Sequence, residues 1–218
     1  MDRVTVPART LLLALALIAG LALPAHARQM VINAQAGATW SNYAFDGDVQ
    51  FSDIEVNEES GRVGYALGGT LRFGGRLYFA PGLFYQSTGF QAVGTDTISL
   101  ETIDETVGVG SVQVPVYIGY NLTGAADAGS TSTLGVRVYA GPSISWVTSV
   151  ADNDLGLTKD SYASTIVGGV LGAGVDISTF TIDLNYEIGL TEVFSDDYTQ
   201  GQDVAKQNIL RGLVGLRF

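Results

Sequence analysis

The sequence contains no cysteine, only one histidine, and few charged residues for its length of 218. Without cysteine there is no disulfide, no thiol chemistry and no lipid anchor on a cysteine. The one histidine, His26, lies close to the N-terminus. Because histidine is the usual acid–base group near neutral pH and a frequent zinc ligand, its absence from the rest of the chain argues against serine–histidine hydrolysis and histidine-ligated metals.

The N-terminal segment has the features of a secretory signal peptide. A start with two arginines is followed by the apolar run 11–23 and then by Ala25-His26-Ala27. This order predicts residues 1–27 as a signal peptide cleaved after Ala27, and 28–218 as one exported domain. A membrane-anchoring helix is the alternative, but the run is shorter than the ~20 residues that a span requires.

Acidic residues outnumber basic ones and are unevenly distributed. The whole chain has 22 acidic and 11 basic residues, and a net charge of −11. This balance argues against nucleic acid as a partner, because phosphate binding needs clustered cations. Of the 22 acidic residues, 17 fall in four segments at about 43–60, 90–109, 149–164 and 192–206. We therefore expect four long, acidic loops.

Period-two alternation recurs along the whole exported segment, and 28 glycines accompany it. It predicts eight strands, each with one apolar face, and therefore an all-β, eight-stranded antiparallel transmembrane up-and-down barrel of the outer-membrane type. The predicted strands cover about 30–42, 61–73, 76–89, 110–122, 134–148, 165–177, 180–191 and 208–218. Charged residues within these strands lie opposite the aliphatic face, namely Arg72, Arg137, Asp176, Asp183, Glu187, Arg211 and Arg217.

Aromatic residues fall near both ends of the predicted strands, as expected for two membrane interfaces. Trp40, Tyr85 and Trp146 fall on the outer rim, and Phe73, Phe79, Tyr120, Phe180 and Phe218 fall on the periplasmic rim. In the last strand, Leu210, Val214, Leu216 and Phe218 are expected to face lipid. The ending Leu216 to Phe218 resembles the C-terminal signal that outer-membrane proteins present to the barrel-assembly machinery.

Six blocks of sequence resemble the PorT-like outer-membrane β-barrel family (outer membrane protein β-barrel domain). They are FAPGLFYQSTGF (79–90), SVQVPVYIGYNL (111–122), VYAGPSISWV (138–147), GAGVDIS (172–178), LNYEIGLTEVF (184–194) and the ending LVGLRF (213–218). The resemblance implies a small eight-stranded barrel in the envelope of a Gram-negative cell, with no catalytic residues. The family's namesake takes part in protein secretion.

We expect the charged residues inside the barrel to form a network that closes it. The candidates are Arg72, Arg137, Asp183, Glu187 and Arg211. Glu187 and Arg211 are expected to meet because their strands are adjacent, whereas Arg137 is expected to reach Asp183 across the lumen. Charges that faced lipid would each cost ~2–4 kcal/mol near the midplane, and unpaired charges inside would also be costly.

Other chemistry has weaker support in the sequence. Asp46-Gly-Asp48 and Asp152-Asn153-Asp154 have the oxygen ligands that suit Ca²⁺, but neither forms a complete EF-hand loop. Solvated loops, or loops that bridge lipopolysaccharide, are the favoured interpretation. Asp183 and Glu187 form a conceivable carboxylate pair, yet pairing with the arginines is the simpler role. No cofactor is expected.

The sequence therefore predicts a non-enzymatic outer-membrane protein, structural or presenting acidic loops for adhesion and partner binding. Expected partners are outer-membrane lipid with lipopolysaccharide, and the barrel-assembly machinery through the last strand. A component of a secretion or assembly system is the alternative function. A soluble lipocalin-like carrier would need an apolar lumen, which these arginines and acids do not provide.

Overall fold

The computed structural model describes residues 30–45, 50–51, 54–96, 102–123, 134–153, 156–195 and 205–218. The predicted signal peptide and much of the predicted acidic loops lie outside these ranges. In the described part of the chain, no helix is long and apolar enough to cross a membrane. Nearly all of the described residues belong to β-strands.

Eight long strands and one short strand form a single sheet. In chain order they are β1 (Met30–Phe45), β2 (Gln50–Phe51), β3 (Ile54–Gly74), β4 (Leu77–Asp96), β5 (Thr102–Asn121), β6 (Leu134–Val150), β7 (Ile166–Ile177), β8 (Phe180–Gly189) and β9 (Ala205–Arg217). The only helix in the described ranges is a single 3₁₀ turn, Lys159–Ser161. The two-residue β2 pairs only with the outer end of β3.

The sheet closes on itself to make a barrel. Each long strand pairs antiparallel with its neighbours in the order β1-β9-β8-β7-β6-β5-β4-β3, and β1 pairs with β3 to complete the circle. The closing registers are continuous, with Ala34 opposite both Leu216 of β9 and Gly69 of β3. Closure leaves none of the eight long strands with a free edge, as a membrane-spanning sheet requires. The predicted eight-stranded up-and-down barrel is confirmed.

Burial alternates strictly along the strands and separates an apolar outer wall from a packed lumen. In β8 every second residue is buried, starting with Thr181, while Ile182, Leu184, Tyr186 and Ile188 are exposed. A soluble protein rarely exposes so continuous an apolar surface, whereas a barrel wall in contact with lipid requires it. The outer wall therefore has the composition of a lipid-facing surface.

The two ends of the barrel differ. The end with the tight turns at residues 75–76 and 178–179 is called the turn end, and the opposite one the loop end. Gly74, just before one turn, and Ser178, the first residue of the other, have positive φ values of 121° and 54°. Positive φ at the first turn residue is typical of a two-residue hairpin. Phe73 is paired with Phe79 at the turn end, and Tyr85 is linked through Val112 to Trp146 nearer the loop end. These strand pairings thus bring together aromatic residues that were predicted for the same rim.

The strands on one side of the barrel extend further than predicted. β3 begins at residue 54 instead of about 61, β4 ends at 96 instead of about 89, and β5 begins at 102 instead of about 110. Parts of the expected loops 43–60 and 90–109 are therefore paired strands. The alternation there is interrupted by register shifts between Val56 and Glu58 and between Gly61 and Tyr65, which hide the strand pattern in the sequence.

Candidate functional site

The lumen contains a layer of paired charges near the turn end. This turn-end charge layer consists of Arg72 on β3, Arg137 on β6, Asp176 on β7 and Asp183 on β8. All four side chains are buried. They point inward because each occupies the lumen-facing phase of its strand, and inside the barrel each charge has a partner of opposite sign. Such pairing is what makes buried charges tolerable.

Asp176 lies at the centre of this layer. Arg72 donates to both of its oxygens, from Nη1 to Oδ2 at 2.9 Å and from Nη2 to Oδ1 at 3.2 Å. Arg137 donates to Oδ1 from another side, and Arg217 approaches Oδ2 at 3.4 Å. A two-pronged contact of this kind is among the strongest hydrogen-bonded ion pairs. Asp176 therefore links strands β3, β6 and β9 across the interior.

Asp183 completes the layer through Arg137. Its Oδ2 accepts from Arg137 Nη2 at 2.5 Å, from Gln35 Nε2 at 2.5 Å and from Thr181 Oγ1 at 3.2 Å. Arg137 and Asp183 are both opposite Gly174 of the intervening strand β7. A Cβ on that glycine would lie 2.5 Å from Asp183 Oδ1 and 2.6 Å from Arg137 Cζ. Because Gly174 has no side chain, Arg137 and Asp183 can contact each other across β7.

A second cluster, the central ion pair, joins Arg211 on β9 to Glu187 on β8. Arg211 Nη2 donates to Glu187 Oε2 at 2.7 Å, and Arg211 is only 1% exposed. The other polar atoms of Arg211 and Glu187 form hydrogen bonds with neutral side chains. Arg211 donates to Asn185, Gln86 and Gln113, while Glu187 accepts from Ser143 and Gln113. The pair is thus surrounded by amides that satisfy both charges.

The residues predicted for the charge network all lie in the lumen, but one expected partner and one expected route differ. Arg72 meets Asp176 and not Asp183 or Glu187. Arg137 reaches Asp183 past Gly174 along the wall, and not across the lumen as expected. Arg211 does meet Glu187. The prediction omitted Asp176 from the network, although its position in the alternation had already indicated that it faces inward.

The predicted network also omitted four amides, although period-two spacing places each of them on the lumen face. They are Gln35, Gln86, Gln113 and Asn185. Of the C-terminal residues, Leu216 and Phe218 lie on the outer face and are exposed. The backbone of Phe218 pairs with that of Ile32 at 2.8 and 3.0 Å, which extends the seam between the first and last strands. Their role as an assembly signal stays a prediction.

An apolar cap fills the lumen at the loop end. Leu157, Tyr162, Val193 and Phe194 come from the connections between β6 and β7 and between β8 and β9, and they pack against strand residues. Those strand residues are Tyr43, Phe90, Val107, Val109, Val147, Ile166 and Ala205. The two connections are tied to each other by backbone bonds from Ala163 to Val193 and from Ser195 to Ser161. The sequence predicts acidic loops in these two connections, and it does not predict the cap.

A small cavity lies beside the charges of the turn-end layer. This cavity, beside Arg72, Arg137 and Asp183, has a volume of about 20 Å³, room for about one water molecule. Among the described residues, no three histidine, aspartate or glutamate side chains are grouped as metal ligands would be. Asp46, Asp48 and Asp154 of the predicted cation sites lie outside the described ranges.

Comparisons with known proteins found a matching family model and several similar solved structures. The family model for the outer membrane protein beta-barrel domain matches residues 13–218. Ail, the attachment invasion locus protein of Yersinia pestis, is similar at 13% identity and a TM-score of 0.45, over 87% of this chain and 99% of that one. OprG of Pseudomonas aeruginosa is similar at 13% identity and 0.48, over 87% and 96%. Neisserial surface protein A is similar at 14% identity and 0.46, over 86% and 97%. No curated protein matches the sequence.

The first prediction concerns Gly174. Gly174→Ala should lower the free energy of unfolding by about 1–3 kcal/mol, because the added methyl group forces Arg137 and Asp183 apart. Gly212→Ala is the matched control, since a Cβ there has no atom within 4 Å. Urea unfolding of both variants in the same detergent measures the difference. Equal stabilities would contradict the role assigned to Gly174.

The second prediction concerns the central ion pair. Glu187→Leu should destabilise the barrel by about 3–5 kcal/mol, because it leaves the Arg211 charge buried without its carboxylate. The double variant Glu187→Leu, Arg211→Leu should recover most of that loss, since neither charge then remains. Urea unfolding of the wild type, both single variants and the double variant gives the coupling energy. A double variant less stable than either single variant would refute the pairing.

Proposed function

The chain belongs to the outer membrane protein beta-barrel domain family, and we propose that it is a non-enzymatic barrel, closed to passage, that offers acidic loops to partners at the cell surface. As a member of that family it is an outer-membrane β-barrel, and buried charged residues line its interior. Short turns are periplasmic and long loops extracellular in such barrels, so the turn end is assigned to the periplasm.

The observation that supports this proposal most is that buried ion pairs and an apolar cluster occupy the lumen at two levels. The turn-end charge layer and the central ion pair span the interior between β3, β6, β7, β8 and β9, and the apolar cap covers the loop end. Eight-stranded barrels have an interior just wide enough for their own side chains. A solute would have to break buried ion pairs in order to pass. This favours a role that uses the ends of the barrel and not its bore.

The two carboxylates considered for catalysis are engaged in other bonds within the described lumen. Asp183 and Glu187, the conceivable carboxylate pair, are bound to Arg137 and Arg211 respectively. Both are also held by neutral donors, so their oxygens are already engaged. A general acid or base must reach a substrate atom within hydrogen-bond distance, and these side chains are buried. Their bonding supports a structural role.

The chemistry available for recognition is at the loop end. Of the 22 acidic residues, 17 occur in the segments that connect the strands at this end or in the strand ends beside those connections. Asp152 and Asp160, which belong to the described part of one such segment, are exposed. A surface with this charge attracts cationic partners over about a Debye length, roughly 8 Å at physiological salt. We propose basic segments of surface proteins, or cations that bridge to lipopolysaccharide, as the partners.

The remaining parts of the proposal concern assembly and secretion. The outer face of β9 and the exposed Phe218 are consistent with recognition by the barrel-assembly machinery. Membership of the PorT-like subfamily, and with it a role in a secretion system, rests only on the sequence blocks that resemble it. Deletion of the gene followed by an assay of protein secretion distinguishes that alternative, because a closed surface barrel would leave secretion unchanged.

The third prediction tests the acidic loops. Wild-type barrel in neutral nanodiscs should bind an oligolysine peptide, and a variant with every acidic residue of 46–53, 96–105, 152–160 and 192–203 changed to its amide should bind about tenfold more weakly or worse. A second variant with Asp and Glu exchanged at the same positions keeps the charge and should bind like the wild type. Equal binding by the amide variant, or binding insensitive to salt, would refute the proposal.

A further inference from the structure

The outer wall contains a groove near the turn end, where β1, β3 and β4 lie side by side. Its volume is about 420 Å³, within the ~300–1,000 Å³ of ordinary ligand pockets. Ile32, Leu71 and Leu83 border it and are 42%, 40% and 60% exposed on the lipid-facing side. Pro81 and Gly69 also line it. The groove is therefore open toward the membrane and mostly apolar.

Proline explains why the wall is open there. Pro81 has no N–H, so it cannot donate to the Leu71 carbonyl opposite it. The β3–β4 pairing accordingly stops at Thr70 with Gly82 and resumes only at Phe73 with Phe79. The neighbouring β4–β5 pairing is interrupted at the same level, where Pro115 likewise lacks the donor. Two adjacent ladders thus lose a bond at one height of the barrel.

Glycine deepens the groove. Gly69 occupies an outward-facing position between Leu67 and Leu71, where other strands carry a large side chain. A Cβ at Gly69 would lie 2.2 Å from the Asn33 carbonyl oxygen, so no side chain fits without moving β1. The backbone of β3 is therefore bare at this point, and Leu71 of β3 and Leu83 of β4 border the groove beside it.

The position of the groove identifies the leaflet. Leu71 is two residues from Phe73, and Leu83 is four residues from Phe79, in the aromatic row at the turn end. At ~3.3 Å per residue, the groove lies about 7–13 Å along the strands from that interface, inside a hydrocarbon layer about 30 Å thick. Because the turn end is periplasmic in this class of barrel, the groove faces the inner leaflet of the outer membrane.

We propose that this groove binds one acyl chain of a phospholipid of the periplasmic leaflet. The groove is continuous with the lipid-facing wall, its borders are aliphatic, and its floor is backbone without side chains. An acyl chain lying in it restores the contacts that an interrupted wall lacks, since packed methylene groups gain dispersion energy that a void does not. The lipid would also seal the wall where the proline residues break two ladders.

The test is native mass spectrometry of the intact barrel released from detergent after exposure to a synthetic phosphatidylglycerol. The wild type should retain one phospholipid. Leu83→Trp, which extends a ring over the groove, should reduce that occupancy about tenfold. Leu171→Trp places the same ring on β7 outside the groove, at a side chain 65% exposed, and should retain the lipid. Ile32→Trp serves as a second variant at the groove if Leu83→Trp does not fold.

Folding of each variant is checked by heat-modifiable migration on gels. Equal retention by the wild type and both groove variants, or a statistical spread of lipid numbers without a preferred single adduct, would overturn the proposal. Retention of lipopolysaccharide in place of phospholipid would overturn the assignment to the periplasmic leaflet. A dimer of barrels that forms in the wild type and disappears in Leu83→Trp would show that a second copy occupies the groove.

Discussion

The charged residues within these strands cannot face lipid, and the arrangement of the lumen follows from that exclusion. A charge at the midplane of the wall costs ~2–4 kcal/mol, so Arg72, Arg137, Asp176 and Asp183 must all turn inward. Once inside a narrow barrel they must also be paired, because burial removes the water that would solvate them. The bidentate contact of Arg72 with Asp176 joins β3 to β7 through the interior. The exclusion of charge from lipid thus accounts for both the inward direction and the pairing of these side chains.

The sequence determines the faces of the strands better than the contacts between them. Period-two alternation correctly predicted which residues of β1, β6, β8 and β9 point inward, because lipid on one side permits no exception. Pairing within the lumen depends on register and on strand tilt, which alternation does not contain. Thus Arg211 with Glu187 was predictable from adjacent strands, whereas Arg72 with Asp176 was not. The contact of Arg137 with Asp183 depends on a single glycine in the strand between them.

The cap at the loop end could not be predicted from the alternation of apolar and polar residues, for a different reason. Leu157, Tyr162, Val193 and Phe194 occur in polar, acidic segments without periodicity, so nothing in their spacing marks them as buried. They are buried because the barrel mouth offers an apolar surface formed by Tyr43, Phe90, Val107 and Val109, and that surface exists only after the barrel has closed. The extension of β3 was missed because two register shifts interrupt the alternation there.

The central claim is that paired charges and the apolar cap close the barrel, and conductance across planar lipid bilayers tests it most directly. Wild-type protein should insert without producing a steady conductance. A variant in which the turn-end charge layer, the central ion pair and the cap residues Leu157, Tyr162, Val193 and Phe194 are all changed to alanine loses each of these barriers. It should conduct and so demonstrate insertion under the same conditions. A large, steady conductance from the wild type, equal to that of the emptied variant, would contradict the account.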